Sequence, residues 1–557
     1  MKELLRQRII EALLEQTELE SEAIPEFKIE VPAQSSHGDY AANVAMLLAK
    51  PLRRAPRKIA EDLIAPLSEL AFVDRVEVAG PGFLNIFAQK SAWQEVARDV
   101  LRAGENYGRG DRNPARRVMV EFVSANPTGP LHFGHGRGAV VGDVLAALLE
   151  FSGHQVSREF YLNDAGRQVR NLALSVDHHR KIARGEDSSF PEDGYHGDYV
   201  KDLAGEVPEE IGDDIEALEH WAVERMLLDI QQDLDDFGIH MDRYVSERAI
   251  VASGRIEECF SEMESLGVLE QRDGARWFAS DRFGDEKARV LVKSDGSNTY
   301  FATDIAYHLD KLRRGFDKLV NIWGADHHGY VPRMQASLRA LGQSEDALEV
   351  VLVQMVSLVR DGKPVVLSKR AGEIITLREV FEEVGRDAAR FFFLVRSSDS
   401  QMEFDLELAK RRTLENPVFY VQYGHARLSS ILAKAGERGI PIPNIEQALN
   451  TDLSPLDRPE EMGLLKRMAG FGEMVSKAAD AQAPHQVVYY LQDLVAAFHS
   501  YYTSTGKSDP ILGSDPAKVQ ARLVMVLALR QVLKNALTLV GVGAPERMES
   551  LDGGGEG

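Results

Sequence analysis

The spacing of apolar residues changes twice along the 557-residue chain and predicts three regions of different structure. In residues 1 to about 112, helical patterns alternate with short strand-like runs, as in a small α+β domain. From about 113 to 376, apolar strand runs alternate with helical patterns, which is typical of a parallel sheet. After about Leu377 the helical period dominates, which predicts a bundle of helices.

The middle region has the most regular alternation. Its pattern predicts, in order, strand 118–123, helix 134–151, strand 157–162, a helix opening at 163–164, strand 289–292, helix 302–314, strand 318–323 and helix 330–341. Asp361-Gly362, between two further apolar runs, is a strong hairpin signal. In the last region, long helices are predicted over 387–397, 406–434, 460–482, 484–505 and 516–539.

Charge interrupts the middle region. The chain carries a net charge of -22, but residues 185–285 alone hold 28 acidic and only 8 basic residues. We interpret this segment as an acidic, mostly helical insertion that splits the α/β domain. The predicted domains are therefore 1–112, 113–184 together with 286–376, the insertion 185–285, and 377–557. Because the acidic excess is local, the overall charge does not exclude a polyanionic partner such as a nucleic acid.

Cysteine content and hydropathy narrow the cellular setting. The single cysteine, Cys259, excludes a disulfide framework and a cysteine-rich zinc site, and it suits a reducing compartment. No run of roughly 18 apolar residues is present, and the first 16 residues form a charged amphipathic pattern rather than a signal peptide. We expect a cytoplasmic protein with no membrane association and no structural zinc.

The candidate chemistry concentrates where the first strand of the middle region ends. A loop, Asn126-Pro127-Thr128-Gly129-Pro130, leads into a helix that opens with His132 and His135. A helix N-terminus after a strand attracts anions, and two imidazoles there suit a phosphate whose charge grows in a transition state. Two surface histidines at an ordinary helix start explain an isolated H-x-G-H about as well. A metal site is less favoured, because no carboxylate ligand lies nearby and i, i+4 is the commoner spacing.

Three further segments are candidates, each with a plainer alternative. Ser368-Lys369-Arg370 lies in a small-residue loop that could close on a polyphosphate, or could be a solvated basic loop. Tyr300 and Asp304 share a helix face, although an aspartate in a first turn can simply stabilise the helix dipole. Asp326 follows a strand at the carboxyl edge of the sheet, where ligands collect in open α/β folds.

Together these motifs resemble class I aminoacyl-tRNA synthetases. His132–His135 is similar to the HIGH motif, and Leu367–Arg370 to a degenerate KMSK motif with Val366 in place of its first lysine. Finer matches resemble the arginyl-tRNA synthetase family. They are Glu121–His135 (with S-A-N-P-T-G-P before H-x-G-H), Tyr161–Gly166, Thr303–Ala306, the D-A-L-R-like Asp387–Arg390 and, near the N-terminus, Gly38–Asn43.

The resemblance implies a fold and an activity. The fold would be a multidomain α/β protein: a Rossmann-type parallel sheet with the acidic insertion, a small α+β N-terminal domain that binds the tRNA elbow, and a C-terminal all-α anticodon-binding bundle. The activity would be attachment of L-arginine to tRNA(Arg) through arginyl-adenylate, with ATP and Mg2+, by a monomer.

The resemblance also implies residue roles. His132, His135 and Lys369 would be catalytic. ATP would contact His132, Gly134, His135, Gly136, Ser368, Lys369 and Arg370. Arginine would contact Glu121, Ser124, Asn126, His132, Tyr300, Asp304 and Asp326, with Glu121 an alternative loop anchor. No residue is assigned to a resident metal.

The anticodon would be read from the bundle by Tyr420, Tyr423, His425 and Arg427 through stacking and base-edge contacts, unless this stripe only packs inside the bundle. Two other functions stay open. A catalytically inactive, synthetase-like tRNA-binding protein would keep the fold, but it has no need of His132, His135, Lys369 and Asp304. A small nucleotidylyltransferase would share the H-x-G-H helix start but not the bundle.

Overall fold

The structure is a computed structural model that describes residues 1–365, 375–506 and 509–548. The chain forms two compact units. The first comprises Met1–Tyr107, Ile431–Gly470 and Ala497–Val532, and the second comprises Gly108–Ser430, Phe471–Ala496 and Leu533–Gly557. This division by compactness differs from the four domains expected from the sequence, whose boundaries stay a prediction.

The helices of the described residues are α1 Lys2–Gln16, α2 Val44–Leu48, α3 Pro56–Ser68, α4 Lys90–Ala103, α5 Phe133–Phe151, α6 Arg167–Ala183, α7 Asp198–Glu206, α8 Ile215–Asp236, α9 Glu247–Ala252, α10 Arg255–Ser265, α11 Tyr300–Arg313, α12 Val331–Ala340, α13 Leu377–Val384, α14 Arg386–Phe392, α15 Leu406–Lys410, α16 Pro417–Glu437, α17 Ile445–Asn450, α18 Pro459–Ala469, α19 Phe471–Asp480, α20 His485–Thr505 and α21 Pro516–Leu539.

The strands are β1 Ile29–Glu30, β2 Tyr40–Ala42, β3 Val73–Ala79, β4 Phe83–Ala88, β5 Arg117–Glu121, β6 Gln155–Leu162, β7 Arg243–Ser246, β8 Leu269–Arg272, β9 Ala275–Phe278, β10 Arg289–Val292, β11 Lys318–Gly324, β12 Leu348–Val353, β13 Val356–Arg360, β14 Lys363–Pro364 and β15 Met402–Asp405. No helix among the described residues has both the length and the apolar character needed to cross a bilayer.

A five-stranded parallel sheet organises the second unit. Its order is β12-β11-β5-β6-β7, and every neighbouring pair is parallel. Val118 and Val120 point to one face of β5 and Met119 to the other, and all three are buried, as expected for a strand covered on both faces. The edge strand β7 comes from within 185–285, so the acidic segment supplies part of the sheet that it was expected only to interrupt.

The strand predicted at 289–292 forms, but in another sheet. As β10 it pairs antiparallel with β9 in the order β10-β9-β8. A short apolar run does not identify its partner, and an antiparallel neighbour close in sequence needs only a short connection. The hairpin predicted at Asp361-Gly362 is confirmed between β13 and β14. Both turn residues have positive φ, 51° and 72°, as a type I′ turn requires.

Two of the long helices predicted in the last region are interrupted. The pattern over 406–434 breaks between α15 and α16, where Pro417 opens a helix because its missing N–H costs nothing in the first turn. The Asn416 amide donates to the carbonyls of Ala409 and Arg411 at 3.0 and 2.8 Å and so closes α15. The pattern over 460–482 breaks at Gly470.

The D-A-A-R motif joins elements of the second unit. The Asp387 carboxylate accepts hydrogen bonds from the Gln422 amide at 2.8 Å and from the Gly543 backbone N–H at 2.9 Å. Arg390 is 1% exposed, and its guanidinium donates to the Asp143 carboxylate on α5 and to backbone carbonyls that include those of Phe237 and Val540. The Arg390 guanidinium therefore connects α14 to α5 and to the chain after α8 and α21.

The first unit contains the antiparallel sheet β1-β2-β4-β3. The G-D-Y-A-A-N segment has a structural function there. Gly38 has a φ of +88°, and a Cβ on it would lie 2.7 Å from the Ile86 carbonyl oxygen, so no larger residue fits. The Asp39 carboxylate accepts from the Ala88 N–H at 2.9 Å and pairs with Lys466 on α18.

Candidate active site

The loop that leaves β5 is strained and fixed by hydrogen bonds. Val123 and Ser124 both have left-handed backbone angles, with φ of 67° and 43°, which costs free energy for residues other than glycine. The Ser124 hydroxyl donates to Glu121 Oε1 at 3.0 Å and accepts from the Tyr161 N–H on β6 at 3.1 Å. These bonds hold the strained turn at the carboxyl edge of the sheet, where the sequence predicts the amino acid.

His132 and His135 lie together at the start of α5, as predicted. His132 is the N-cap residue, and the two imidazole rings stack with centroids 3.6 Å apart. The His132 backbone N–H donates to His135 Nδ1 at 3.2 Å, so a neutral His135 carries its proton on Nε2. The pair therefore presents two half-buried imidazoles at the positive end of a 19-residue helix, which suits an anionic ligand.

The two glycines predicted to contact ATP lie in different surroundings. Gly134 is exposed, and a Cβ there would meet only the His132 ring, at 3.0 Å. Gly136 is buried, and its Cβ would lie 2.7 Å from the Phe393 ring and 2.8 Å from Leu377 Cδ1. Helix packing thus explains the glycine at 136, whereas Gly134 remains on the open side with the imidazoles.

The basic loop with Ser368, Lys369 and Arg370 lies outside the described residues, but both of its flanks are anchored. Val365 N–H donates to the Leu358 carbonyl at 2.8 Å within the β13–β14 hairpin. On the other side, the N–H of Phe133 donates to the Ile375 carbonyl at 3.0 Å, and Leu377 N–H donates to the Leu131 carbonyl at 2.8 Å. The chain that follows the basic loop is therefore paired directly with the start of α5.

Arg137 links α5 to the chain around that hairpin. Its side chain is completely buried, and its guanidinium donates to the carbonyls of Gln354, Ser397 and Ser400 at 2.7 to 3.0 Å. Burial lowers the pKa of Arg137 to about 10, which still leaves it charged at neutral pH.

Asp304 supplies a half-buried carboxyl one turn into α11. Burial raises its pKa to about 7, the hydrogen bond from the Tyr330 hydroxyl at 2.5 Å opposes that rise, and the nearby Glu121 and Glu247 carboxylates add to it. The ring of Tyr330 packs against Phe301 at 5.8 Å between centroids, which fixes the phenol. Among the described residues Lys311 is near, but no cation forms an ion pair with this carboxyl, so a positively charged ligand would be favourable here.

Other carboxyls give the same surroundings an acidic character. Glu247, the first residue of α9, is 7% exposed, and burial followed by the nearby Asp164 raises the pKa of its carboxyl. Tyr161 at the end of β6 lies near Glu247, Asp304 and Glu121, and burial together with these charges raises the pKa of its phenol. The carboxyl ends of β5 and β6 and the starts of α9 and α11 therefore enclose one anionic region.

Tyr300 and Asp326 are both at the expected edge but are exposed. Tyr300 is 71% exposed at the first position of α11, and the phenol bonded to Asp304 is that of Tyr330 instead. Asp326 follows β11, and its carboxylate lies 3.6 Å from the His327 imidazole. Asn126 is exposed as well, and its amide donates to the Gln168 side chain on α6 at 2.7 Å.

Two buried ion pairs lie beneath the site, in the parallel sheet and near the end of α11. Lys311, fully buried, donates to Glu121 Oε2 at 2.5 Å, so both oxygens of Glu121 have protein partners and the residue anchors the loop. Burial would raise the pKa of Glu159, but hydrogen bonds from Arg314 at 2.6 and 2.9 Å, the nearby Lys311 charge and the Tyr307 hydroxyl together outweigh it and lower that pKa. The Tyr307 hydroxyl completes the set by donating to Glu159 at 2.7 Å.

His308 is a neutral member of the same interior. Its Nδ1 lies 2.8 Å from the Asp304 carbonyl, and its Nε2 lies 2.8 Å from the Asn321 amide nitrogen. Burial, with the nearby Lys311 charge, lowers the pKa of His308 to about 3. The ring is therefore uncharged at neutral pH and connects α11 to β11.

The four residues expected to read tRNA all lie on α16. His425 is 3% exposed, and its Nδ1 lies 2.8 Å from the Pro545 carbonyl, so it packs inside the second unit. Arg427 donates to the Tyr423 hydroxyl at 2.9 Å and stacks over that ring, and Tyr423 in turn stacks on Phe419. Tyr420 and Tyr423 are half-buried. The packing interpretation thus accounts for His425, while the other three keep partly accessible side chains.

Sequence reasoning missed Tyr330, Lys311 and Glu247 as site residues. Lys311 lies one turn after Tyr307 on the buried face of α11. A lysine on the apolar face of a predicted helix is the signal that could have indicated a buried ion pair. Tyr330 and Glu247 meet Asp304 only through the tertiary fold. Within the described residues, no three His, Cys, Asp or Glu side chains are grouped as a metal site.

Comparison with known families matches three segments that together cover most of the chain. Residues 1–88 match the arginyl tRNA synthetase N terminal domain, residues 97–405 the catalytic domain of class I (R) tRNA synthetases, and residues 421–548 the DALR anticodon binding domain.

Individual relatives agree over their full length. The chain is 46% identical to the arginine–tRNA ligase of Citrifermentans bemidjiense, covering 98% of this chain and 100% of the relative, and 48% identical to that of Desulforudis audaxviator, covering 94% of each. The fold superimposes on Thermus thermophilus arginyl-tRNA synthetase with a TM-score of 0.77 at 24% identity, over 98% of this chain and 100% of the other. The chain therefore belongs to the arginyl-tRNA synthetase family of class I aminoacyl-tRNA synthetases.

Proposed function

We propose that the anionic region around Asp304 binds the guanidinium of arginine while the imidazole pair at the start of α5 handles the phosphates of ATP. The enzyme attaches arginine to tRNA, with ATP as the source of energy. The observation that carries the residue assignment is the Asp304 carboxyl at one edge of the sheet. Burial raises its pKa to about 7, and the hydrogen bond from the Tyr330 hydroxyl orients it.

The first step is adenylate formation. A carboxylate oxygen of arginine attacks the α-phosphorus of ATP, the bond to the bridging oxygen breaks, and pyrophosphate leaves with the bonding electrons. No protein nucleophile is needed, so catalysis consists of positioning and charge stabilisation. His132 and His135 stabilise charge that grows on the α-phosphate, and exposed Gly134 leaves room for the nucleotide.

The leaving pyrophosphate needs its own cations. Ser368, Lys369 and Arg370 provide them from the loop between the anchored residues Val365 and Ile375. Mg2+ enters as part of the ATP substrate and supplies further charge neutralisation. In the second step a hydroxyl of the terminal tRNA ribose attacks the arginyl carbonyl, and AMP leaves.

Arginine is held at both ends. Ser124, Asn126 and His132 contact its amino and carboxylate groups from the strained loop, and Glu121 acts through that loop rather than on the ligand. Asp304 takes the guanidinium, because a carboxylate matches a planar guanidinium in a bidentate way. Tyr300 and Asp326, both exposed at this edge of the sheet, complete the contacts to the bound arginine.

The tRNA contacts from α16 are assigned to Tyr420, Tyr423 and Arg427, whose half-buried side chains allow stacking with unpaired bases. His425 is left out of this assignment because its ring is buried against the Pro545 carbonyl.

The decisive experiment is tRNA charging with arginine, lysine, cysteine and glutamate supplied separately, with citrulline as a neutral competitor of arginine. Charging with arginine alone, and little inhibition by citrulline, is the expected result. Binding of tRNA without charging by any amino acid would instead identify an inactive tRNA-binding protein.

A further inference from the structure

Tyr199 belongs to the acidic segment 185–285, yet its side chain reaches the loop that leads to His132. It is the second residue of α7, and its hydroxyl donates to the Thr128 carbonyl at 2.8 Å. Thr128 is 7% exposed, and among the described residues the Tyr199 hydroxyl is the donor to its carbonyl, which would otherwise lose its partner away from water. The acidic segment therefore provides a hydrogen bond to the loop next to the imidazole pair.

The phenol is held firmly enough to fix what it touches. Its ring packs on an apolar cluster that includes Leu172 and Val176 of α6 and Val200 of α7. Burial also raises the pKa of Tyr199 above its ordinary value, so the hydroxyl keeps its proton and remains a donor at any working pH.

The contact fixes a single peptide plane. Because the peptide group is planar, holding the Thr128 carbonyl also fixes the direction of the Gly129 N–H. The Tyr199 side chain packs directly against Gly129, because a Cβ on Gly129 would be 3.1 Å from the Tyr199 hydroxyl oxygen. A second hydrogen bond, from the Thr128 N–H to the Asn126 carbonyl at 2.8 Å, connects the residue that Tyr199 holds to Asn126.

We infer that Tyr199 is a positioning residue for arginine activation: its hydroxyl holds the Thr128–Gly129 peptide and thereby the relative placement of Asn126 and His132. The inference rests on the proposed function, because it assumes that Asn126 and His132 act on the two substrates of the first step. It gives the acidic segment a role in catalysis.

The test removes only the hydroxyl. Tyr199→Phe should lower kcat for adenylate formation about three- to tenfold, the range expected for one net hydrogen bond that matters in the transition state. The KM for arginine should rise by a smaller factor than kcat falls, because Asp304 still binds the guanidinium while Asn126 and His132 contact only the other end of arginine. The thermal midpoint of each variant, measured alongside, shows whether stability alone has changed.

Tyr195→Phe is the matched control. Tyr195 lies in the same segment, is also half-buried and packs on the same cluster. Its hydroxyl makes no hydrogen bond to residues 126–130, all of which are described. This variant should keep the parent kcat.

A double-mutant cycle measures the coupling between two substitutions in kcat, which a general loss of stability would not produce. Gly129→Ala places a methyl group against the Tyr199 hydroxyl and should lower kcat alone, but it should have a smaller effect when Tyr199→Phe has removed that oxygen.

Three outcomes are distinguishable. Unchanged kcat in Tyr199→Phe, or an equal loss in Tyr195→Phe, would overturn the positioning role while leaving arginine charging intact. Additive effects of the two substitutions in the cycle would also overturn it. Failure of the parent enzyme to charge tRNA with arginine would instead refute the proposed function.

Discussion

Arginine affinity should depend on pH through one carboxyl. Asp304 has a pKa of about 7 in the structure, and the groups that face it are Glu121 on β5, Glu247 on α9, Lys311 on α11 and Tyr330. A guanidinium binds the ionised carboxylate and not the neutral acid. The affinity of the enzyme for arginine should therefore be highest above pH 7 and fall as pH decreases.

The magnitude follows from the fraction of Asp304 that is ionised. With a pKa of about 7, roughly nine-tenths is ionised at pH 8 but only about 3% at pH 5.5. The dissociation constant should therefore increase about 30-fold between these values, which corresponds to about 2 kcal/mol. The raised pKa has a matching effect on stability. The contribution of Asp304 is full below an ordinary pKa of about 3.8 and is lost as pH rises through about 7.

Isothermal titration of the enzyme with arginine from pH 5.5 to 8.5 tests this directly. The affinity of the parent enzyme for arginine should fall about 30-fold from pH 8 to pH 5.5, and binding near pH 6.5 should release protons. Asp304→Asn should bind arginine weakly at every pH, with little pH dependence. The Asn variant should also gain thermal stability relative to the parent as pH rises from 5 to 8. The assignment of Asp304 would be refuted if the arginine affinity of the parent did not change with pH, or if the affinity of the Asn variant changed with pH as steeply as that of the parent. In the second case Glu247→Gln would identify the group that titrates.

Three further changes should have distinct effects. His132→Ala and His135→Ala should each slow single-turnover adenylate formation by about 10²–10³, because the charge that they stabilise develops only in the transition state; arginine affinity in titration should barely change in His135→Ala and should fall in His132→Ala, whose ring also contacts arginine. Lys311→Met should lower stability by about 3–5 kcal/mol because it leaves Glu121 buried without its cation, and adding Glu121→Gln should restore most of the thermal midpoint. Arg390→Lys should lower the thermal midpoint by several degrees, since an ammonium cannot reach all the carbonyls that the guanidinium bonds; unchanged thermal unfolding would contradict this.

Local features of the site could be predicted because they depend on residues close in sequence. The H-x-G-H spacing and the preceding strand predicted a helix opening at 134, and the helix begins at Phe133 with His132 as its cap. The Asp361-Gly362 turn was predictable for the same reason, since positive φ values favour these residue types.

Features that depend on tertiary contacts could not be predicted. The i, i+4 rule suggested Tyr300 as the phenol beside Asp304, but the phenol comes from Tyr330, on a different element 26 residues away. The resemblance implied that Gly136 contacts ATP, and the structure adds that Phe393 and Leu377 fill the space where a side chain at 136 would lie. Both cases have one cause: spacing identifies the face of a helix but not what packs against it.

The strained turn at Val123 and Ser124 has a physical reason to persist. Left-handed angles in two successive non-glycine residues cost roughly 1–3 kcal/mol each, so other contacts must outweigh them. Glu121 provides these contacts, because Lys311 fixes one of its oxygens and the Ser124 hydroxyl binds the other. Relaxing the turn would break the Ser124 hydroxyl's bonds to Glu121 and to the Tyr161 N–H, and leaving these two partners unsatisfied costs about 1–3 kcal/mol each, which is comparable to the strain. The ion pair below the sheet edge thus keeps the loop in one conformation before any substrate arrives, and the free energy of binding need not be spent on ordering it.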